Sequence, residues 1–327
     1  MGYSSEVVRR ARQRLESARA DRESQTRIRL QEVYGKLPRV KEIDMQLRRT
    51  MALAAQTVFS QGTDAEQAFE EVKQANLILQ QERQALIDRQ FGPGYLDESP
   101  LCPHCGGTGY IGTAMCSCLK ELCRQEQEKE LTLLAAPDQR FDAFRLDYYP
   151  SQVEPKFGFS PRAVMERTFN DCKNYADTFS PQSGNLLFIG GTGLGKTFLS
   201  ACVARAAAAK GYSVAYETAQ NLFAKMEKDR FDKDEESHHA VKALMDCDLL
   251  IIDDLGTEMA GNFVTSALYN IVNGRLLSRK PMVISTNLNI SEITQRYSPQ
   301  IGSRLQGDFK RLTFVGQDIR CMKNRGI

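Results

Sequence analysis

Residues 190–197 of this 327-residue chain, Gly190-Gly191-Thr192-Gly193-Leu194-Gly195-Lys196-Thr197, have the spacing Gly-x-x-x-x-Gly-Lys-Thr. That spacing builds a phosphate-binding loop. Its glycines let successive backbone N–H groups turn toward a β-phosphate, and the helix that follows adds its positive dipole end. Lys196 is placed to reach β- and γ-phosphates, and the Thr197 hydroxyl suits a Mg²⁺ ion. ATP or ADP with Mg²⁺ is therefore the expected ligand, with Gly190 through Phe198 as its contacts. A second run, Asp248-Leu-Leu-Ile-Ile-Asp253-Asp254, ends four apolar residues in adjacent carboxylates. Like charges that must stay hydrated are not a packing device. Asp253 is the expected Mg²⁺ partner, usually through water, and Asp254 is placed to orient or deprotonate an attacking water. Hydrolysis is expected over phosphoryl transfer to another substrate. A third run, Pro281 to Thr286, ends at Asn287, which either holds the lytic water or γ-phosphate or caps a loop.

The second chemical group is sulfur. The chain has nine Cys, and four of them lie in Cys102-Pro-His-Cys105 and Cys116-Ser-Cys118, ten residues apart. Two such pairs across a glycine-rich reversal suit one tetrahedral Zn²⁺ in a structural role, since four thiolates leave no open position. His104 or Cys123 could replace Cys118 as the fourth ligand. A redox reading of Cys-x-x-Cys would need a thioredoxin-like strand-to-helix setting, which this stretch lacks. Cys172, Cys202, Cys247 and Cys321 are scattered and read as small buried apolar residues.

These groups need elements to hold them. Residues 1–91 contain a single proline, Pro38, and read as helices over 4–37, 39–59 and a segment to Phe91 that opens on a capping box, Thr63-x-x-Glu66. Val72, Leu79 and Leu86 recur every seven residues, the stripe of a small helical bundle or short coiled coil, which is compatible with partner binding. The arginines at 9, 10, 12, 14, 19, 22, 27 and 29 read as a solvated face. Phe91-Gly-Pro-Gly-Tyr95 breaks the helices and opens the cysteine knot. A charged helix follows Cys123 to about Leu134. Pro137, Pro150, Pro155 and Pro161 punctuate a linker, and a helix is expected over 161–179. From Asn185 the pattern alternates strand and helix, the signature of an α/β fold with a parallel sheet. The expected organisation is a helical region 1–96, a zinc-binding knot 97–125, a linker 126–160 and a nucleotide-binding domain 161–327.

Lys and Arg total 43 and Asp and Glu 41, a net charge of +2, so overall basicity gives no argument for nucleic acid and any such site must be local. Lys225, Lys228, Arg230 and Phe231 are such a patch, mixing charge with an aromatic. The acidic run after them leaves a plain solvated helix face as the alternative. No apolar run approaches the roughly 18 residues of a membrane helix, and the charged start has no apolar secretory segment, so a cytoplasmic location is expected.

The order of these motifs, with Ser-Thr-Asn and Ser-Arg-Leu following the paired acids, resembles an AAA+ ATPase. More closely it is similar to the bacterial helicase loaders DnaC and DnaI, with the IstB transposition ATPases as near relatives. The resemblance covers about residues 140–327. It implies that Asn287 is the sensor-one residue, that Arg304 in Gly302-Ser-Arg-Leu305 is an arginine finger acting on a neighbouring subunit's γ-phosphate, and that Arg320 in Asp318-Ile-Arg320 is the sensor-two arginine. A finger in trans implies an ATP-dependent oligomer. In such loaders and initiators a helical insertion near Lys225–Phe231 lines a channel for single-stranded DNA. Asp253-Asp254 stands where many AAA+ proteins have Asp-Glu, and the shorter side chain implies slow turnover. Seven residues follow Arg320, so a core without a C-terminal lid is expected. A zinc-binding N-terminal region also resembles DnaI-type loaders. The expectation is an ATPase that loads a DnaB-type replicative helicase onto single-stranded DNA, its N-terminal helices and knot gripping the helicase. The alternative is an IstB-like transposition ATPase that binds DNA and a transposase. An adaptor with a degenerate nucleotide site is a third reading, against which Lys196, Thr197, Asp253 and Asp254 all speak.

Overall fold

Pro38 decides where the first helix stops. A proline in mid-helix would remove an i→i−4 bond, whereas at the first turn of a new helix its missing N–H costs nothing. In the computed structural model, α1 (Ser5–Lys36) accordingly ends one residue before α2 (Pro38–Thr57) begins. The structure describes residues 3–57, 64–96, 99–134, 139–153, 155, 158–232 and 235–323. The chain divides into two compact units, Arg14–Cys116 and Ser117–Ile327 together with Met1–Gln13.

In the first unit α3 (Asp64–Phe91) lies against α2. Thr63 of the expected capping box falls outside the described residues. The apolar seam is thin: Val33, Val40 and Ile87 are buried, with Leu37, Leu86 and Phe91 packed on them. Val72, Leu79 and Leu86 are only half-buried, because two helices cover one stripe and leave the rest to water. Asp44 accepts from Arg83 and from the Tyr34 hydroxyl at 2.8 and 2.7 Å, which fixes the register. The unit ends in a two-stranded antiparallel hairpin, β1 (Tyr110–Ile111) and β2 (Ala114–Met115).

In the second unit α4 (Ser117–Leu134) packs on the helix after the phosphate loop, so residues 126–134 of the expected linker are helical. Gln127 of α4 donates to Tyr212 O and accepts from Val214 N, each at 2.9 Å, capping a sheet edge as a strand would. Two 3-10 turns, 141–143 and 146–148, lead to α5 (Pro161–Asp177). There follow β3 (Asn185–Gly190), α6 (Lys196–Ala209), β4 (Val214–Thr218), α7 (Ala219–Asp232), α8 (Glu235–Asp246), β5 (Leu249–Leu255), α9 (Asn262–Leu277), β6 (Met282–Thr286), α10 (Ile290–Arg296), α11 (Pro299–Gly307), β7 (Phe309–Phe314) and α12 (Ile319–Lys323). The strands form one five-stranded sheet in the order β4-β5-β6-β3-β7, every neighbouring pair parallel.

Buried parallel strands are apolar on both faces, and alternate residues here serve two cores. Leu186, Phe188, Leu249 and Ile251 pack toward α5 and α6. Leu187, Leu250 and Ile252 pack toward α7 and α9. Cys172, Cys202 and Cys247 are buried in these layers; Cys321 is exposed, because α12 is too short to cover it, which corrects its reading as a buried residue. Arg275 of α9 is fully buried, and among the described residues no carboxylate pairs with it. Its guanidinium donates to the carbonyls of Leu244, Cys247 and Pro281 at 2.8, 3.1 and 2.8 Å, satisfying the negative end of α8 and the start of β6. No helix among the described residues is long and apolar enough to cross a membrane.

Candidate nucleotide site and cysteine cluster

The phosphate loop sits between the C-terminal end of β3 and the first turn of α6, as the spacing predicts. Gly195 has φ +90°, and a Cβ there would lie 3.0 Å from the Tyr149 hydroxyl and 3.3 Å from Phe144. Glycine is therefore required twice over, for the left-handed backbone and for the close approach. Tyr149 is fully buried and its hydroxyl donates to Leu194 O at 2.9 Å, pinning the loop from below. From the other side Ile319 N donates to Gly193 O at 3.1 Å.

Lys196 is almost wholly buried. Its ammonium donates to Gly190 O (2.8 Å), Gly191 O (2.7 Å) and Asn287 Oδ1 (2.6 Å), so it ties the end of β3 to the end of β6. Burial lowers its pKa, and Asp254 and Asp253 oppose that shift. The two acids lie where β5 carries a register shift against β6, between the pairs Ile252↔Ile284 and Leu255↔Thr286. An extra residue in one strand re-aims side chains. Asp254, at φ +54°, lines the cavity. Asp253 stays between the strands, 2% exposed. Its Oδ2 accepts from the Tyr216 hydroxyl at 2.8 Å and its Oδ1 from Ser285 Oγ, whose oxygen in turn accepts from Asp254 N at 2.9 Å. Burial, then the neighbouring Asp253, raise the Asp254 pKa. Burial and Asp253 push the Tyr216 hydroxyl far up, so it stays a donor.

A cavity of about 450 Å³ opens over this constellation. It is lined by Thr192 to Phe198, Asp254, Asn287 and Arg320 and by the aromatic rings of Phe144, Tyr148 and Tyr149. Phe144 stacks on Phe169 at 5.2 Å and leans on Phe198 at 5.6 Å. The polar lining suits a polyphosphate with Mg²⁺, for which the donor set of Lys196, loop N–H groups, Thr197 and carboxylates fits. The aromatic rings beside the loop suit a planar base. That aromatic wall is missed by the sequence reading, which treats 126–160 as linker; the available signal is four aromatics in nine residues, Phe141 to Tyr149.

Other expected site residues lie elsewhere. Arg304 on α11 is half-buried outside this cavity, its guanidinium 5.8 Å from the centre of the Tyr269 ring. Lys225 is paired with Glu217, a carboxylate whose pKa burial raises and Lys225 lowers, so its charge is already answered. Lys228, Arg230 and Phe231 are exposed on α7, with Arg230 over both Phe231 and Phe263 at 5.8 and 5.7 Å.

The sulfurs of Cys102, Cys105, Cys116 and Cys118 lie within 4.8 Å of one another, and those of Cys102 and Cys116 are 3.9 Å apart. A tetrahedral ion with Zn–S bonds of about 2.3 Å separates its sulfurs by about 3.8 Å, so the donor set fits Zn²⁺. Cys105 Sγ also accepts from Gly109 N at 3.2 Å. His104 is exposed and outside the group. Cys123 is buried outside it, its thiol pushed up to about 11 by desolvation.

Residues 156–301 match the family of IstB-like ATP binding proteins. The replicative helicase loader DnaC of Escherichia coli K12 is 27% identical over 135 residues, 41% of this chain and 55% of the loader. An insertion-sequence ATP-binding protein of Sinorhizobium fredii is 29% identical over 143 residues, 44% of this chain and 47% of that protein. The chain thus spans about half the length of these relatives. Among solved structures, a DnaC helicase loader is similar with 18% identity and a TM-score of 0.47, over 55% of this chain and all of that one.

Proposed function

We propose that this chain, which carries an IstB-like ATP binding protein domain over residues 156–301, is an AAA+ ATPase that loads a DnaB-type replicative helicase onto single-stranded DNA. The observation that carries the ATPase part is the convergence of Lys196, Thr197, Asp254, Asn287 and Arg320 on one cavity that also has an aromatic wall. In this reading the wall takes the adenine, and Lys196 and the loop N–H groups hold the β- and γ-phosphates. Mg²⁺, when bound, neutralises charge on those phosphates. Asp253 and Thr197 hold its place, Asp254 receives the proton of the attacking water, and Asn287 orients that water. Arg320 answers charge on the γ-phosphate. The paired Asp253-Asp254 goes with slow turnover, and ATP acts as a switch: the bound γ-phosphate orders a subunit interface that hydrolysis dissolves.

The similarity to a replicative helicase loader supports the helicase as partner. So do the N-terminal helices and the cysteine cluster, which lie outside the matched stretch. Residues 1–96 would grip the helicase, the zinc-bound knot 97–125 would stiffen that grip, and residues 161–327 would form the ATPase. Lys228, Arg230 and Phe231 would meet single-stranded DNA, with Lys225 contributing less because Glu217 holds it. A cytoplasmic location belongs to the same reading. The family match and the insertion-sequence relative favour a second reading, a transposition helper that binds DNA and a transposase. Co-purification from the host with and without ATP separates the two: the first requires the hexameric helicase in the ATP-dependent fraction, and recovery of a transposase in its place overturns it.

Arg304, outside its own chain's cavity, is proposed to complete a neighbour's. Arg304→Ala should keep ATP affinity while hydrolysis falls by about 10³-fold, the lower range for an arginine finger. Turnover at the wild-type rate would remove the finger from the scheme.

A further inference from the structure

We propose that Tyr216 is a positioning residue for Asp253: its hydroxyl holds that carboxylate in the orientation from which it serves Mg²⁺ bound with ATP. This rests on the ATPase reading above and adds to it a residue on the edge strand, away from every nucleotide-binding motif.

The argument starts from Asp253 itself. It is 2% exposed, and each of its oxygens already has one hydroxyl donor, Tyr216 from β4 on one side and Ser285 from β6 on the other. Ser285 has a single proton to give. Its oxygen accepts from Asp254 N, so that proton is committed to Asp253. The carboxylate is thus strung between two strands. Its remaining lone pairs are left for a metal's water shell, since an ionised carboxylate offers about four acceptor sites. In the ladder Asp253 faces Thr218 and Tyr216 faces Ile251, so Tyr216 and Asp253 are diagonal neighbours on one face of the sheet. The long phenol ring makes up that offset. Its ring is buried with the α6-side core, which holds the hydroxyl still. Such outer partners orient ligand atoms, and losing one typically weakens metal affinity.

A buried hydroxyl against a buried acid could also be scaffold alone, so the test needs a readout that packing does not move. Tyr216→Phe removes one oxygen and keeps the ring. ATP carrying a fluorescent ribose label is titrated into the full-length wild type and variant, in EDTA and across a Mg²⁺ series. The variant should need about 10- to 100-fold more Mg²⁺ for half of the metal-dependent gain in binding. Its affinity in EDTA should match the wild type. Its melting temperature should fall by a few degrees, since a buried carboxylate loses a donor, while the protein stays folded at the titration temperature. Ser285→Ala, which removes the opposite hydroxyl, should shift the Mg²⁺ series in the same direction and serves if the first variant folds poorly. An unshifted Mg²⁺ series in folded Tyr216→Phe, or an equal loss with and without Mg²⁺, overturns the role. A wild-type protein that gains nothing from Mg²⁺ overturns the ATPase reading instead, and the role with it.

Discussion

Lys196→Ala is expected to cost the protein its ATP, with affinity falling at least about 100-fold. Hydrogen bonds to charged groups are each worth about 1.5–3 kcal/mol, and about 1.4 kcal/mol is tenfold in binding. An ammonium that bridges two phosphates makes two such bonds. The structure shows why no neighbour would substitute for it. The amine emerges from a buried stem at the first turn of α6, whereas the two other cations that line the cavity among the described residues, Arg145 and Arg320, are exposed. The amine donates to three acceptors, the carbonyls of Gly190 and Gly191 and the Asn287 amide oxygen. The same geometry sets a second expectation for the variant. Gly191 and Asn287 are exposed and Gly190 is half-buried, so water replaces the lost donor and the fold should lose little stability. Calorimetric titration with Mg²⁺ and ATP beside a thermal melt checks both. Unchanged ATP affinity would remove Lys196 from the phosphate site.

The parts of this site that were legible in the sequence are those where backbone geometry dictates residue type. A loop that must take positive φ and approach other atoms closely selects glycine, and Gly190 to Gly195 are readable for that reason. A strand buried on both faces must be apolar throughout, which made 185–190 and 249–252 plain and left the acids at the strand end conspicuous. What escaped depends on tertiary neighbours. Phe144, Tyr148 and Tyr149 sit on 3-10 turns, which have no sustained period, inside a stretch punctuated by prolines. The Lys225–Glu217 pair brings residues eight apart together across a strand-to-helix turn, so a lysine that reads as a free basic group is already engaged. The register shift at Asp253-Asp254 is visible only once β6 is alongside. It decides which of two adjacent acids faces the cavity.

Removing metal from the cysteine cluster should unfold the knot, and the effect should be as large as any in the molecule. The segment from Cys102 to Cys118 has little else to hold it. Its strands are two residues long, and Gly106, Gly107, Gly109 and Gly112 all take positive φ. Glycine loses more backbone freedom on ordering than any other residue, so the knot begins from an entropic deficit. Buried apolar area is small here; Ile111 is 56% exposed. Coordination by four thiolates is worth on the order of 10 kcal/mol near neutral pH, far more than the few contacts in the loop. Because thiols must lose protons to bind, affinity should weaken as pH falls. Native mass spectrometry should therefore find one zinc per chain. Chelation or Cys102→Ser should release it and open residues 102–118 to protease. Cys118→Ser should behave likewise, whereas Cys123→Ser and His104→Ala should retain zinc, since neither side chain belongs to the four-sulfur group. A brown, iron-containing protein would replace zinc with an iron–sulfur cluster on the same thiolates. A metal-free chain whose knot still resists protease would show that the four sulfurs meet for packing alone.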